Sequence, residues 1–193
     1  MEKPYSGAAT INESFEGFEI IIPTKKNWFV ILFLGFWLCG WVFGEVFALT
    51  MLTGLLFGKM EFANLFMLVW LGGWTVGGFF AIKTFLWNLK GKEIITIGMG
   101  QLKIEKKGLL LAKPKTYDLI ESKNFRAQED NNGTDGIWGM QRNSFAAFNS
   151  GGTIRFDYGL KTIKFAGGID EAEANYIIEK LKTAGILKDS HLN

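Results

Sequence analysis

Two long apolar runs limit what this chain can fold into. Residues 29–52 contain one charged side chain, Glu45, and residues 62–82 contain none. Each run exceeds the ~20 residues that a helix needs to cross a hydrocarbon layer about 30 Å thick. A backbone deprived of water must satisfy its own polar groups, and a helix does so within one segment. The link between the runs, residues 53–61, is short and carries two glycines. A link of that length makes the two helices, expected at about 28–52 and 62–87, antiparallel neighbours. Trp28 and Trp87 flank the pair on one side, where interfacial aromatic anchors belong.

The basic residues orient this hairpin. Lys25 and Lys26 precede it, and Lys83, Lys90 and Lys92 lie at or beyond its far end on the same side. Only Lys59 lies in the connecting link. The positive-inside rule then predicts a multi-pass protein of the inner (cytoplasmic) membrane with both termini in the cytoplasm. Residues 1–27 are polar and hold no apolar run of the secretory kind, so the first apolar helix is expected to direct insertion itself.

Glycine marks where two such helices can approach. Gly40 and Gly44 form one GxxxG pair, and Gly73 and Gly77 form another beside Gly72 and Gly78. With the turn centred near residue 57, Gly40 comes level with Gly73, and Gly35 with Gly78. The expectation is a seam with Gly40 and Gly73 at its closest point, because lipid supplies no hydrophobic push between helices and small residues let backbones meet. The same glycines could instead recruit another subunit. Glu45 is the intramembrane acid. It has three readings: partial exposure near the interface, a hydrogen bond to a partner chain or to a neighbour such as Asn64, or a proton or ion role.

Beyond Trp87 the pattern changes to period two. Residues 93–97 and 102–106 alternate around Gly98 and Gly100 and read as a hairpin. Residues 115–120 and 124–128 read as two further strands, and 144–148 as a weaker one. Residues 153–158 and 161–165 form a second hairpin about Gly159. A helix follows: Asp170 caps it, Glu173 has capping-box spacing, and Ala174, Ile177, Ile178 and Leu181 form its apolar stripe. Gly185 is its stop. Upstream of the apolar runs, residues 15–22 read as a strand with Phe18, Ile20 and Ile22 on one face. A lone strand is not stable in water, so this one is expected to join the C-terminal sheet.

Some seven antiparallel strands closed by one helix resemble the pleckstrin-homology (PH) architecture. The whole resembles bacterial membrane proteins with a two-helix anchor and a PH-like domain. The segments that carry the likeness are Phe18-Glu19-Ile20-Ile21-Ile22-Pro23, Tyr117-Asp118-Leu119-Ile120, and the hairpin of residues 154–165 with its helix. The resemblance implies a membrane α + β fold: a two-helix transmembrane hairpin with a PH-like antiparallel β barrel or sandwich capped by a C-terminal helix. The expected organisation is an N-terminal segment, 1–27, whose strand joins the soluble domain; a hairpin, 28–88; a PH-like domain, 89–186; and a tail, 187–193. The resemblance also implies a binding or assembly module without catalysis.

Motif chemistry is sparse. No P-loop, GxSxG or HExxH is present. Cys39 and His191 are the sole cysteine and histidine, which excludes an internal disulfide and any Cys/His metal cluster. Cys39 reads as a small buried hydrophobe and His191 as part of a frayed tail. From Asp130, an EF-hand loop would need Gly at Asp135 and Glu at Gln141, so calcium is not expected. A net charge of +2 gives no case for nucleic acid, and no cofactor is expected. Two soluble features remain. Lys103, Lys106, Lys107, Lys113 and Lys115 are either a solvated strand edge or a contact for anionic lipid headgroups. Ile137, Trp138 and Met140 sit in a polar loop, either as a partner contact or folded back as a core lid.

The leading expectation is therefore a non-catalytic membrane adaptor or accessory subunit. Its partners are membrane lipids and a larger membrane complex or further copies of itself. An anionic-lipid headgroup module is the first alternative, and a transport component using Glu45 the second. The topology is directly testable. A C-terminal reporter active only in the periplasm should stay silent, and a cytoplasmic reporter at the same position should be active; the reverse would invert the assignment.

Overall fold

The computed structural model describes residues 7–15, 17–56, 62–128 and 151–192. They divide into a β unit, formed by residues up to Lys25 and from Lys90 onward, and a helical unit, Lys26–Leu89.

In the β unit, β1 (Thr10–Ser14), β2 (Gly17–Pro23), β3 (Lys92–Gly98), β4 (Gln101–Lys107) and β5 (Lys115–Asp118) form an antiparallel sheet in chain order. A second sheet holds β6 (Ser122–Ala127), β7 (Ile154–Tyr158) and β8 (Lys161–Phe165). Both sheets are open, so the strands do not close into a barrel. The strand upstream of the apolar runs joins the C-terminal sheet as expected, with Phe18 opposite Ile97 and Pro23 opposite Lys92. The ladder continues one step further through Thr24 N–H, which donates to Gly91 O at 3.0 Å. The chain thus leaves for the helices and returns from them through neighbouring strands. Strand β1, mostly exposed and polar, was not legible in the sequence. It exists because β2 offers it an edge, Thr10 lying opposite Ile21.

Alternation decides the core. In β2 the buried positions are Phe18, Ile20 and Ile22, and they meet Ile95, Ile97 and Leu102 from the neighbouring strands. The three-stranded sheet adds Phe125, Ile154, Phe156 and Phe165 to the same core. Phe156 sits at the centre of an aromatic group, stacked on Phe125 at 4.9 Å and edge-on to Tyr117 at 5.3 Å. Tyr117 belongs to β5, so this contact ties one sheet to the other. Helix α3 (Glu171–Thr183) buries Ala174, Ile177 and Leu181 into that core. The Asp170 carboxylate caps it by accepting from Glu173 N–H at 2.8 Å, and Gly185, at φ +74°, ends it.

Glu173 departs from its expected role. Its carboxylate does not complete a capping box with Asp170 but accepts from Ala8 and Ala9 N–H at 3.2 and 2.8 Å. The N-terminal segment is thereby tied to α3. Glu93 does comparable work in β3: its Oε2 accepts from Ala166 N–H at 2.9 Å, where Ala166 holds a positive φ of +63°. His191 is not frayed. It ends a 3₁₀ turn, Asp189–His191, and its Nδ1 accepts from Lys188 N–H at 3.0 Å.

The helical unit consists of α1 (Trp28–Leu56) and α2 (Phe62–Lys90), 29 residues each. At 1.5 Å per residue each spans roughly 43 Å, more than an apolar membrane core requires. Asn27 starts α1, its side-chain oxygen accepting from Val30 N–H at 3.2 Å. Both helices are apolar around their whole circumference, and only 6% and 11% of their most apolar windows is buried. A core helix of a water-soluble protein would be mostly buried. These two leave Phe36, Phe43 and Val69 at 70% exposure or more. By length and composition both can cross a membrane. Cys39 is exposed on α1 rather than buried.

Burial raises the Glu93 pKa, its largest influence, against smaller lowering effects from Lys106 and the Ala166 and Gly167 amides. The folded protein therefore holds this proton more tightly than the unfolded chain. Glu93's contribution to stability should fall as pH rises from the ordinary carboxylate range near pH 4.3 through its raised folded value. Glu93→Gln should flatten that part of the profile and keep an acceptor for Ala166 N–H. Denaturant midpoints of both proteins between about pH 4 and pH 8 check this; parallel profiles would refute it.

Candidate functional site

The helical hairpin has a seam, but not the expected one. Nothing described lies within 4 Å of a side chain placed at Gly40, Gly72, Gly73 or Gly77. Gly40 and Gly73 are therefore not the point of closest approach. Gly35, Gly44 and Gly78 do face the other helix, and each receives an aromatic ring. Phe85 lies 3.6 Å from the Gly35 position and Trp74 3.7 Å from the Gly44 position, while the Trp41 indole occupies the space beside Gly78. Large rings in glycine notches, rather than backbone on backbone, join the helices. Trp41 Nε1 donates to Trp74 O at 3.2 Å, and the Trp37 and Trp74 rings are 6.1 Å apart. Ala48, Leu52 and Leu71 continue the seam.

Glu45 lies on that seam. Its Oε1 accepts from Thr75 Oγ1 at 2.6 Å, so its partner is on the opposite helix. The Asn64 side chain lies outside what is described. Glu45 Oε2 and Trp74 Nε1 are both buried and have no hydrogen-bond partner among the described residues. An acceptor and a donor left open in apolar surroundings are costly, on the order of 1–3 kcal/mol each.

The lysine cluster divides. On β4, Lys103 and Lys107 each sit 3.9 Å from Glu105, which lies between them on one face of the strand. Lys106 points to the other face, where its charge acts on Glu93. Lys113 and Lys115 are exposed in and just after the β4–β5 connection. Ile137, Trp138 and Met140 lie outside the described residues.

A feature that periodicity does not reveal stands at one end of the strands. The β1–β2, β3–β4, β5–β6 and β7–β8 turns all fall at that end, as the pairings Ser14 with Gly17, Gly98 with Gln101, Gln101 with Asp118, and Ser122 with Tyr158 require. Each turn exposes a large apolar side chain: Phe15, Met99, Ile120 and Leu160, the least exposed at 79%. Met99 occupies a turn position with φ +51°, followed by Gly100 at +76°. Methionine there carries backbone strain and an apolar side chain in water at once, a combination that function explains better than folding.

Beside Met99 and Ile120 a shallow cleft is lined by Lys123, Ile186, Lys188 and His191. Because His191 Nδ1 accepts from Lys188 N–H, its Nε2 carries the proton and is a donor. Three acids lie beside it, each with a partner: Asp118 accepts from Ile120 N–H at 2.8 Å, Glu121 bonds to Tyr158, and Asp189 pairs with Lys182 at 2.8 Å. The cleft is apolar at its rim, and the charged side chains that line it are Lys123 and Lys188. Counting apolar residues at turn positions would have singled out all four tips. Among the described residues, no group of three or more His, Cys, Asp or Glu side chains converges on a metal-sized site.

No protein-family model, no curated protein and no solved structure matches this chain.

The seam makes a sharp contrast between two glycines. Gly78→Leu should displace the Trp41 ring and lose its bond to Trp74, destabilising the hairpin by about 1–3 kcal/mol. Gly40→Leu, into open space, should change little. Thermal unfolding of both variants in mild detergent tests this, and equal losses would refute the aromatic seam.

Proposed function

We propose that the chain is a non-catalytic membrane adaptor or accessory subunit. The two apolar helices hold it in a membrane, with both termini cytoplasmic, and the β unit docks onto a protein of a larger membrane complex. Antiparallel strands in two sheets followed by a closing helix, with β1 added at the edge beside β2, support reading the β unit as PH-like. The observation that carries the adaptor reading is the row of exposed apolar turn residues at one end of the β unit. A water-soluble surface seldom gathers such residues without a partner. The lining of Lys123, Lys188 and His191 commits that partner to a segment with acidic and apolar side chains.

A photo-crosslinkable residue at Ile120, in the full chain extracted in mild detergent, tests this reading. One dominant adduct is expected, mapped to an acidic, apolar segment and lost when Lys123 and Lys188 are both changed to Glu. Scattered adducts that survive the charge reversal, or none, would overturn it.

A further inference from the structure

The opposite end of the strands carries a different chemistry. There β4 ends at Lys107, opposite Lys92, and the chain runs through Lys106-Lys107-Gly108-Leu109-Leu110-Leu111-Ala112-Lys113-Pro114-Lys115 into β5. Three leucines are bracketed by two pairs of lysines, with no acid among them. Leu111 is 83% exposed and holds a positive φ of +62°, so the turn spends backbone energy to present an apolar side chain to solvent. Ala112 N–H donates to Leu109 O at 3.2 Å and closes the turn.

The location of this turn identifies its occupant. A side chain at Gly108 would meet Lys90 O at 3.0 Å and Gly91 Cα at 3.1 Å. Lys90 is the last residue of α2. The leucine turn therefore packs against the point, at Lys90 and Gly91, where the chain enters the β unit. On the membrane reading above, on which this inference rests, that point is the bilayer surface. Lys25, Lys90 and Lys92 lie near the same strand ends and add positive charge beside the turn.

We infer that residues 108–114 form a second, peripheral membrane contact. Leu110 and Leu111 enter the headgroup–acyl boundary, and Lys107, Lys113 and Lys115 meet anionic phospholipid headgroups. Apolar insertion and cationic attraction each bind weakly, and together they hold the β unit against the surface. The β unit then has one end committed to lipid and the other open to protein.

The test uses the full chain in nanodiscs containing a mixture of phospholipids brominated near the top and near the end of the acyl chain. An environment-sensitive fluorophore is placed on Leu111→Cys or Leu160→Cys, each in a Cys39→Ala background, or on native Cys39. The expected result is quenching at positions 39 and 111 but not at 160. Quenching at 111 should fall roughly twofold or more when anionic lipid is omitted, or when Lys107, Lys113 and Lys115 are all changed to Gln. Quenching at 39 without quenching at 111, or equal quenching at 111 and 160, overturns the loop contact and leaves the membrane reading standing. Quenching at 111 that ignores lipid charge overturns the role of the lysines. No quenching at 39 overturns the membrane reading itself, and the loop contact with it.

Discussion

The pairing of β2 with β3 is the interaction on which the rest of the structure depends. These strands flank the two apolar helices in sequence, yet they lie side by side with Ile20 opposite Ile95 and Ile22 opposite Glu93. Ile20, Ile22, Ile95 and Ile97 are all essentially free of solvent. Burying side chains of this kind contributes about 1.5–3 kcal/mol each. Closing a long intervening segment costs only slightly more than closing a short one, because loop entropy grows logarithmically. A helical hairpin can therefore be inserted between adjacent strands at small cost to the sheet. Its presence there ties the departure and return of the chain to one ladder.

Much of the β unit hangs from that ladder. Strand β1 has β2 as its edge, and β4 and β5 extend from β3. Glu93, directed inward from β3, holds the backbone just after β8 and so reaches the other sheet. Glu173 does the same for the segment before β1. Each carboxylate is buried and satisfies backbone N–H groups that would otherwise be left unpaired, which offsets part of its own desolvation. The aromatic group around Phe156 supplies the apolar counterpart between the sheets.

Strand parity then separates two kinds of surface. In a sheet built from consecutive antiparallel strands, alternate connections fall at alternate ends. The connections at the β2–β3 exit end include the helical hairpin and the leucine turn between lysines, while the tight turns at the other end carry Phe15, Met99, Ile120 and Leu160. Two proposed contacts, one with lipid and one with protein, follow from this polarity rather than from a catalytic constellation.

The amino-acid sequence alone determined every element whose cause is local. Uninterrupted apolar length specified α1 and α2, period two specified β2 to β4, β7 and β8, and Asp170 and Gly185 marked the ends of α3. It also specified that β2 needs a partner, because an isolated strand is not stable. Only the tertiary structure decided what depends on residues far apart in the chain. Spacing placed Gly40 level with Gly73, yet helix rotation turned both outward and set Trp41 and Trp74 against Gly78 and Gly44. Capping-box spacing sent Glu173 to Asp170, yet the nearby Ala8 and Ala9 amides took it. Five lysines close in sequence went to opposite faces of β4, into the connection beyond it and to the start of β5, and four apolar residues scattered from Phe15 to Leu160 came to one end. Periodicity reports which side of an element a residue occupies. It carries no information about what the fold brings up against that side.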